Sequence, residues 1–139
     1  MAIIGQSEFP YPYFAVNTFI APMTKIIVDP GACGFTCKIE VQGTAKYEVT
    51  CHLQSKCKQI KKWAEKVGSV NFLEISRGPF GQNSIARAAA RCKLHPSCPI
   101  PSGLIKAVEA ELGMAVRKNV SFTFEEREPL TDLKKDSHS

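Results

Sequence analysis

The sequence feature that most constrains the fold is a pair of short alternating runs, CKIEV at 37–41 and YEVTC at 47–51. Apolar and polar residues alternate in both runs, which is typical of strands that bury one face. Only the five residues QGTAK separate them, and so short a connection predicts an antiparallel β-hairpin. A chain that contains this hairpin must cover one face of its sheet with other apolar elements.

The register of the predicted hairpin follows from its apolar residues. Both inward faces must lie on the same side of the sheet, and pairing Ile39 with Val49 meets this condition. It leaves residues 43–45 as a three-residue loop, which is a common hairpin length. The same register sets Cys37 opposite Cys51, and directly opposed side chains have Cβ atoms about 4.5 to 5.5 Å apart. We therefore expect these two sulfur atoms to be neighbours.

The remaining elements predict an α+β fold, in which a small sheet built around the hairpin packs against about three helices. Residues 24–28 alternate as a first strand, 120–124 alternate as a last strand, and VNFLEI at 70–75 predicts a short strand between them. Apolar residues recur at helical spacing in three segments, 55–67, 84–92 and 103–112.

Length and composition predict a single folded domain. With 139 residues, 44% of them hydrophobic, the chain can bury a core without disulfide bonds. We assign residues 23–124 to one α+β cysteine-rich domain and residues 125–139 to a polar C-terminal tail. Residues 1–22 are rich in aromatic residues and proline without regular periodicity, so they form an irregular N-terminal extension. Met23 directly precedes the first strand pattern and is a candidate alternative start.

The basic charge belongs to the predicted domain. Residues 23–124 hold 15 of the 18 Lys and Arg residues and 7 of the 13 Asp and Glu residues, so the domain carries +8 against +5 for the whole chain. Five lysines accompany Trp63 on the first predicted helix: Lys56, Lys58, Lys61, Lys62 and Lys66. A row of lysines of this kind can bind the phosphates of a nucleic acid, but it is more often the solvated side of an amphipathic helix. Nucleic acid is therefore not the expected partner.

The N-terminus and the hydropathy pattern predict a cytoplasmic protein. The first 23 residues contain no Lys or Arg and are broken by Pro10, Pro12 and Pro22, unlike a secretory signal. No apolar run approaches the roughly 18 residues of a membrane span, so no membrane partner is expected. In a reducing compartment, clustered cysteines are more often metal-binding or catalytic than disulfide-bonded.

Four of the six cysteines form a first candidate metal site. They come from the glycine turn, the two hairpin strands and the start of the following helix: Cys33, Cys37, Cys51 and Cys57. A helix N-terminus stabilises a thiolate, and Lys56 and Lys58 flank Cys57 with positive charge. The two lysines are candidate cofactor-binding residues, because an anionic thiolate–metal centre, a phosphate or a carboxylate would offset their charge.

A second candidate group lies in CKLHPSCPIP at 92–101. Cys92, His95 and Cys98 have a spacing that suits a metal loop, and they either complete the first site or make a second one. The spacing does not match a zinc-finger or bacterial ferredoxin signature. The alternative for both groups is that the cysteines are core residues. Free cysteine packs as a small buried hydrophobe, and Cys57 and Cys92 lie on apolar helical faces.

The chain also resembles a known family. VDPGACGFTCKIEV at 28–41 and HPSCPIPSGLIKAVEAELGMAVRKNVSF at 95–122 are similar to a family of small, cysteine-rich, uncharacterised proteins of anaerobic bacteria and archaea. The resemblance covers about residues 24–124, and the extension before Met23 departs from the family's usual start. It implies a stand-alone cytoplasmic domain in a reducing, oxygen-poor setting, and it implies no reaction.

These observations favour a protein that binds a metal ion or an iron–sulfur cluster over an enzyme. Zinc and iron both accept thiolate ligands, so the spacing leaves zinc and iron–sulfur as alternatives, and a carrier, sensor or electron-transfer role with a protein partner stays open. One alternative is a thiol-redox or cysteine-nucleophile enzyme that uses Cys57, although no C-x-x-C motif occurs. The others are a basic module for anions or nucleic acid and an exported domain with a Cys37–Cys51 disulfide.

Overall fold

The computed structural model describes residues 23–127. The elements occur in the order β1 (Thr24–Val28), β2 (Cys37–Ala45), β3 (Glu48–Ser55), α1 (Lys58–Lys66), β4 (Ser69–Asn71), α2 (Phe72–Ser76), α3 (Ser84–Arg91) and α4 (Ile100–Glu111). The predicted N-terminal extension, 1–22, lies outside the described residues, and so do residues 128–139 of the predicted tail.

The four strands form one antiparallel sheet in the order β1-β2-β3-β4. The central strand β2 buries Cys37, Ile39 and Val41 completely on one face, because these residues alternate with polar ones. α4 packs over β1 and β2 on that face, and α1 packs beside β3. The predicted α+β fold with a central hairpin is therefore confirmed, with four helices among residues 23–127 where about three were expected.

The predicted register of the hairpin is wrong. Cys37 pairs with Ser55 rather than with Cys51, and Cys51 pairs with Val41. The strands continue through Gly43, which pairs with Val49, and a register irregularity follows before the turn. The predicted and observed registers differ by an even number of residues, so the same side chains point inward in both. Alternation alone does not distinguish between the two registers.

The helix α4 is held close to the sheet by a glycine. A Cβ atom placed on Gly103 would lie 2.6 Å from Cγ2 of Val28, closer than real contacts allow. Val28 pairs with Cys37, so the N-terminal part of α4 lies over this end of the sheet. At its other end, Glu111 hydrogen-bonds Thr24 and Gly43. The helix therefore runs along the sheet from the Val28 end to the Thr24 end.

The segment after α1 differs from the predicted strand. Only Ser69–Asn71 pairs with β3, and the helix α2 begins directly afterwards. The side-chain oxygen of Asn71 accepts hydrogen bonds from the backbone N–H groups of Leu73 and Glu74. Such N-capping satisfies backbone donors that a helix leaves free at its start, and it turns the chain out of the sheet.

The predicted last strand is also wrong. Residues 120–124 have no strand partner within the described part of the chain, although their alternation is typical of a strand. Val120, Phe122 and Phe124 are all exposed. Among residues 23–127, no helix combines the length and the apolar composition that a membrane crossing requires.

Candidate functional site

Two of the predicted site cysteines lie together where the hairpin strands end. Cys37 is the first residue of β2 and pairs with Ser55, the last residue of β3. Cys57 follows two residues later as the N-cap of α1, and its backbone N–H donates to the Ser55 hydroxyl at 3.2 Å. The strand end and the helix start therefore carry a sulfur atom each at one corner of the sheet.

Cys98 reaches the same corner from a distant part of the chain. It lies two residues before Ile100, the first residue of α4, and the backbone N–H of Ile100 hydrogen-bonds its sulfur. The close packing of Gly103 against Val28 sets this end of α4 over the Val28–Cys37 pair. The structure thus brings Cys98 to the first predicted group.

Electrostatic interactions show how these sulfur atoms are arranged. The thiolate charge of Cys98 acts on Cys37, and the charges of Cys33 and Cys57 act on Cys98. Cys57 also acts on Cys37. Cys98 therefore interacts with each of the three others. We call this group, Cys33, Cys37, Cys57 and Cys98, the thiol cluster.

Burial keeps the inner thiols of the cluster protonated. Burial raises the pKa of Cys37 to about 11, opposed by a hydrogen bond from the backbone of Gln54 and assisted by the charges of Cys98 and Cys57. Burial is also the largest cause that raises the pKa of Cys98, opposed by the Ile100 N–H and assisted by Cys33 and Cys57. A cation that replaced the thiol protons would remove the repulsion between the thiolates.

Cys33 lies on the outer side of the cluster, in a turn that precedes β2. The residue is exposed, and its turn is closed by a 2.9 Å hydrogen bond from the Gly34 N–H to the Gly31 carbonyl. Both glycines have positive φ, 80° and 72°, which other residues adopt at a cost. The Asp29 carboxylate accepts a second bond from the Gly31 N–H. These contacts fix the short loop that carries Cys33.

The thiol cluster is not already arranged as a metal site. No group of three or more His, Cys, Asp or Glu side chains within residues 23–127 is placed to hold a metal ion. Instead, the sulfur of Cys57 donates to the Gln59 amide oxygen at 3.3 Å, and that of Cys37 lies 3.7 Å from the Lys38 carbonyl oxygen. Metal binding would replace these weak contacts and draw the thiols together.

Cys51 lies apart from the thiol cluster. It pairs with Val41, four residues further along β2 than Cys37, which is about 13 Å along a strand. A disulfide requires Cα atoms within about 7 Å of each other, so the alternative of a Cys37–Cys51 disulfide is wrong. Burial alone raises the pKa of Cys51 to about 12. This cysteine packs as part of the core.

The other members of the second predicted group do not accompany Cys98. Cys92 is buried in the core as the C-cap of α3, and His95 is exposed. The His95 carbonyl accepts a 3.0 Å hydrogen bond from the Cys98 N–H, so this backbone turn positions Cys98. Of the two groups predicted from spacing, Cys33, Cys37 and Cys57 from the first each interact electrostatically with Cys98 from the second.

The partly buried thiol of Cys51 predicts a loss of stability in alkaline solution. Its pKa is raised from 9.0 to about 12 in the folded chain, so above pH 9 the unfolded chain releases its proton first. The unfolding free energy therefore falls as pH rises, by up to about 1.4 kcal/mol per pH unit from this group. Urea unfolding at about pH 8 and about pH 10 should show a smaller fall for Cys51→Ala than for the wild type. Equal falls in both proteins would contradict the prediction.

An open groove and two lysines border the thiol cluster. The groove has a volume of about 440 Å³ and is lined by Gly34, Phe35, Thr36, Gln54, Ser55 and Lys56. Lys58 is the first residue of α1, both lysines are exposed, and the first turn of α1 contains no acidic residue. This corner therefore presents positive charge next to the sulfur atoms.

The aromatic residue of the lysine-rich helix is not available to nucleic acid. Trp63 is completely buried, and its Nε1 donates to the Ile85 carbonyl at 3.1 Å. It joins α1 to α3 and presents no face on which a base could stack, which single-strand binding requires. The lysines of α1 are the solvated face of an amphipathic helix.

Comparison with known proteins identifies a family for this domain. A family model matches residues 24–124, which include the whole sheet, the four helices and the thiol cluster. The chain belongs to DUF6951, a family of unknown function. The DUF6951 match also includes the exposed segment 120–124. A search of curated proteins and a search of solved structures found no match.

Proposed function

We propose that this DUF6951 protein binds a metal ion or an iron–sulfur cluster through the thiol cluster, in a reducing cytoplasm. The observation that carries the proposal is the convergence on Cys98, whose thiol interacts electrostatically with Cys33, Cys37 and Cys57. Four thiolates are a complete ligand set for zinc or for an iron–sulfur cluster. They come from a turn, a strand and two helix starts, so sequence-local packing does not account for their meeting.

The charges around the cluster support an anionic centre. Two helices begin at it, α1 after Cys57 and α4 just after Cys98, and helix N-termini favour negative charge. Lys56 and Lys58 add positive charge on the same side. Four thiolates around one divalent ion carry a net charge of about −2, which these groups would offset.

The same observations disfavour Cys37 and Cys98 as nucleophiles. A reactive thiol needs a lowered pKa, whereas burial raises the pKa of Cys37 and Cys98. Metal binding has no such requirement, because a bound cation displaces the proton itself. The exposed Cys33 and the adjoining groove leave the centre open on one side, which suits a carrier, a sensor or an electron-transfer protein that acts with a protein partner.

The proposal is tested by anaerobic purification of the full chain, followed by metal and acid-labile sulfide analysis and a visible spectrum. We expect one metal centre per chain. Iron with sulfide and a broad visible absorption identifies an iron–sulfur cluster, and zinc without colour identifies a tetrathiolate site. A protein that is isolated without metal and takes up neither Zn²⁺, Co²⁺ nor iron and sulfide under reducing conditions would contradict the proposal.

A further inference from the structure

The segment that follows α4 has the pattern of a strand but pairs with nothing in the described part of the chain. Val116, Val120, Phe122 and Phe124 occupy even positions and are 86%, 56%, 86% and 98% exposed. The segment lies within the DUF6951 match, which ends at residue 124. A strand with one apolar face normally buries it against a sheet and helices.

The same molecule offers an unpaired sheet edge. β1 is the first strand of the sheet and pairs only with β2 among residues 23–127. An open edge presents free backbone N–H and C=O groups to another strand. On the helix-covered face, Ile26 and Val28 lie beside Gly103, so an added strand could extend this apolar layer.

The segment leaves α4 near the Thr24 end of β1 and is not paired with that strand in the same copy. Arg117 contacts Glu111 at 3.6 Å, and Glu111 bonds Thr24 at the start of β1. A strand antiparallel to β1 must instead enter at the Val28 end, about 13 Å away over four residue steps. Val120, Phe122 and Phe124 stay exposed, and no strand among residues 23–127 pairs with them, so this segment does not cover the edge of its own copy.

We infer that residues 122–126 of one copy add antiparallel to the β1 edge of a second copy, and that the exchange is reciprocal. Each copy supplies both a strand and an edge, so the contact closes with two-fold symmetry. All other pairs of the sheet are antiparallel, and this geometry is slightly more stable per residue than the parallel one. The partner of this surface is therefore another molecule of the same chain.

Charge and apolar pattern select one register for the exchange. If Phe124 lies opposite Ile26, then Phe122 lies opposite Val28 and both rings continue the helix-covered face. The same register sets Glu125 opposite Lys25, whose exposed nitrogen lies 3.9 Å from the Glu40 carboxylate. Opposite charges that face each other across strands are stabilising.

The mass of the full chain in solution tests the dimer. We expect the wild type to elute with twice the 15.3 kDa chain mass in light scattering. The double substitution Phe122→Ser and Phe124→Ser should raise the dimer dissociation constant by about 100-fold or more, because two buried rings are lost. Phe80→Ser is the matched control, since Phe80 is equally exposed but lies in the loop before α3, and it should leave the dimer intact.

Amide hydrogen exchange separates strand addition from general hydrophobic association. We expect protection of residues 122–126 in the wild-type dimer and its loss in the double variant. A wild-type monomer, a dimer without protection of this segment, or a control that dissociates as readily as the double variant would overturn the inference. Protection of the segment in a monomer would show that the same chain covers it, which also overturns pairing with a second copy.

Discussion

The Cys98→Ser substitution is expected to lower the affinity for Zn²⁺ or Co²⁺ by at least about 100-fold, the largest effect of any single cysteine. Cys98 is the thiol that interacts with all three other members of the cluster. Its loss removes one ligand and also the group that links the hairpin side of the site to α4. Serine is a poor ligand for these metals because its hydroxyl stays protonated at neutral pH. Competition with a chelator under anaerobic, reducing conditions measures the change.

The change in Tm on adding Zn²⁺ gives a second test of the Cys98→Ser substitution. A ligand that binds only the folded chain raises the unfolding free energy with its concentration relative to Kd. We therefore expect added Zn²⁺ to raise the Tm of the wild type and a chelator to reverse the increase. The Tm of Cys98→Ser should respond to neither. Since Cys98 is only partly buried, the metal-free variant is expected to retain a cooperative unfolding transition.

The matched control for this experiment is Cys51→Ala. Cys51 belongs to the same chain and is also a partly buried thiol, but it pairs with Val41 and lies away from the cluster. Its substitution should leave the metal affinity unchanged within about threefold, even if it alters the stability of the core. Equal losses of affinity in Cys51→Ala and Cys98→Ser would contradict the thiol cluster. Retention of full affinity by Cys98→Ser would contradict it equally.

Local periodicity was sufficient to predict most of the elements. The hairpin strands, the first strand and the helices α1, α3 and α4 all follow from alternation or helical spacing of apolar residues. The register was not predictable in this way, since a shift by an even number of residues keeps the same side chains inward. The structure favours the longer ladder, in which Gly43 reaches Glu111, and that tertiary contact leaves no local pattern.

The candidate site was likewise predictable only in part from the sequence. Cys33, Cys37 and Cys57 are close because they flank the ends of one hairpin, which local sequence predicts. Cys51 was grouped with them only through the wrong register. Cys98 joins them because Gly103 lets α4 lie directly on Val28. That packing connects residues far apart in sequence, and cysteine spacing carries no information about it.

Glu111 is the second residue whose replacement should have a large effect, here on folding. Its side chain is completely buried, and its two carboxylate oxygens accept 2.9 Å bonds from the Thr24 hydroxyl and the Gly43 N–H. Arg117 adds a 3.6 Å ion pair at the surface. We expect Glu111→Ala to lower the unfolding free energy by about 3 kcal/mol, because hydrogen bonds to a charged acceptor are lost and a buried N–H is left unpaired.

Urea denaturation of a graded set of variants identifies the source of this loss. Thr24→Val removes one hydrogen bond and keeps the carboxylate, so its effect should be about 1.5 kcal/mol. Arg117→Ala should cost less than about 1 kcal/mol, because Arg117 is 56% exposed and exposed ion pairs contribute little. Glu109→Ala, two residues earlier on α4 and only partly buried, is the control for loss of a helical glutamate. If Glu111→Ala costs no more than Glu109→Ala, the carboxylate does not anchor α4 to the Thr24 end of the sheet. If the loss of unfolding free energy is instead largest for Glu111→Ala and smaller for Thr24→Val and Arg117→Ala, the two hydrogen bonds that join α4 to β1 and β2 supply most of the anchoring energy.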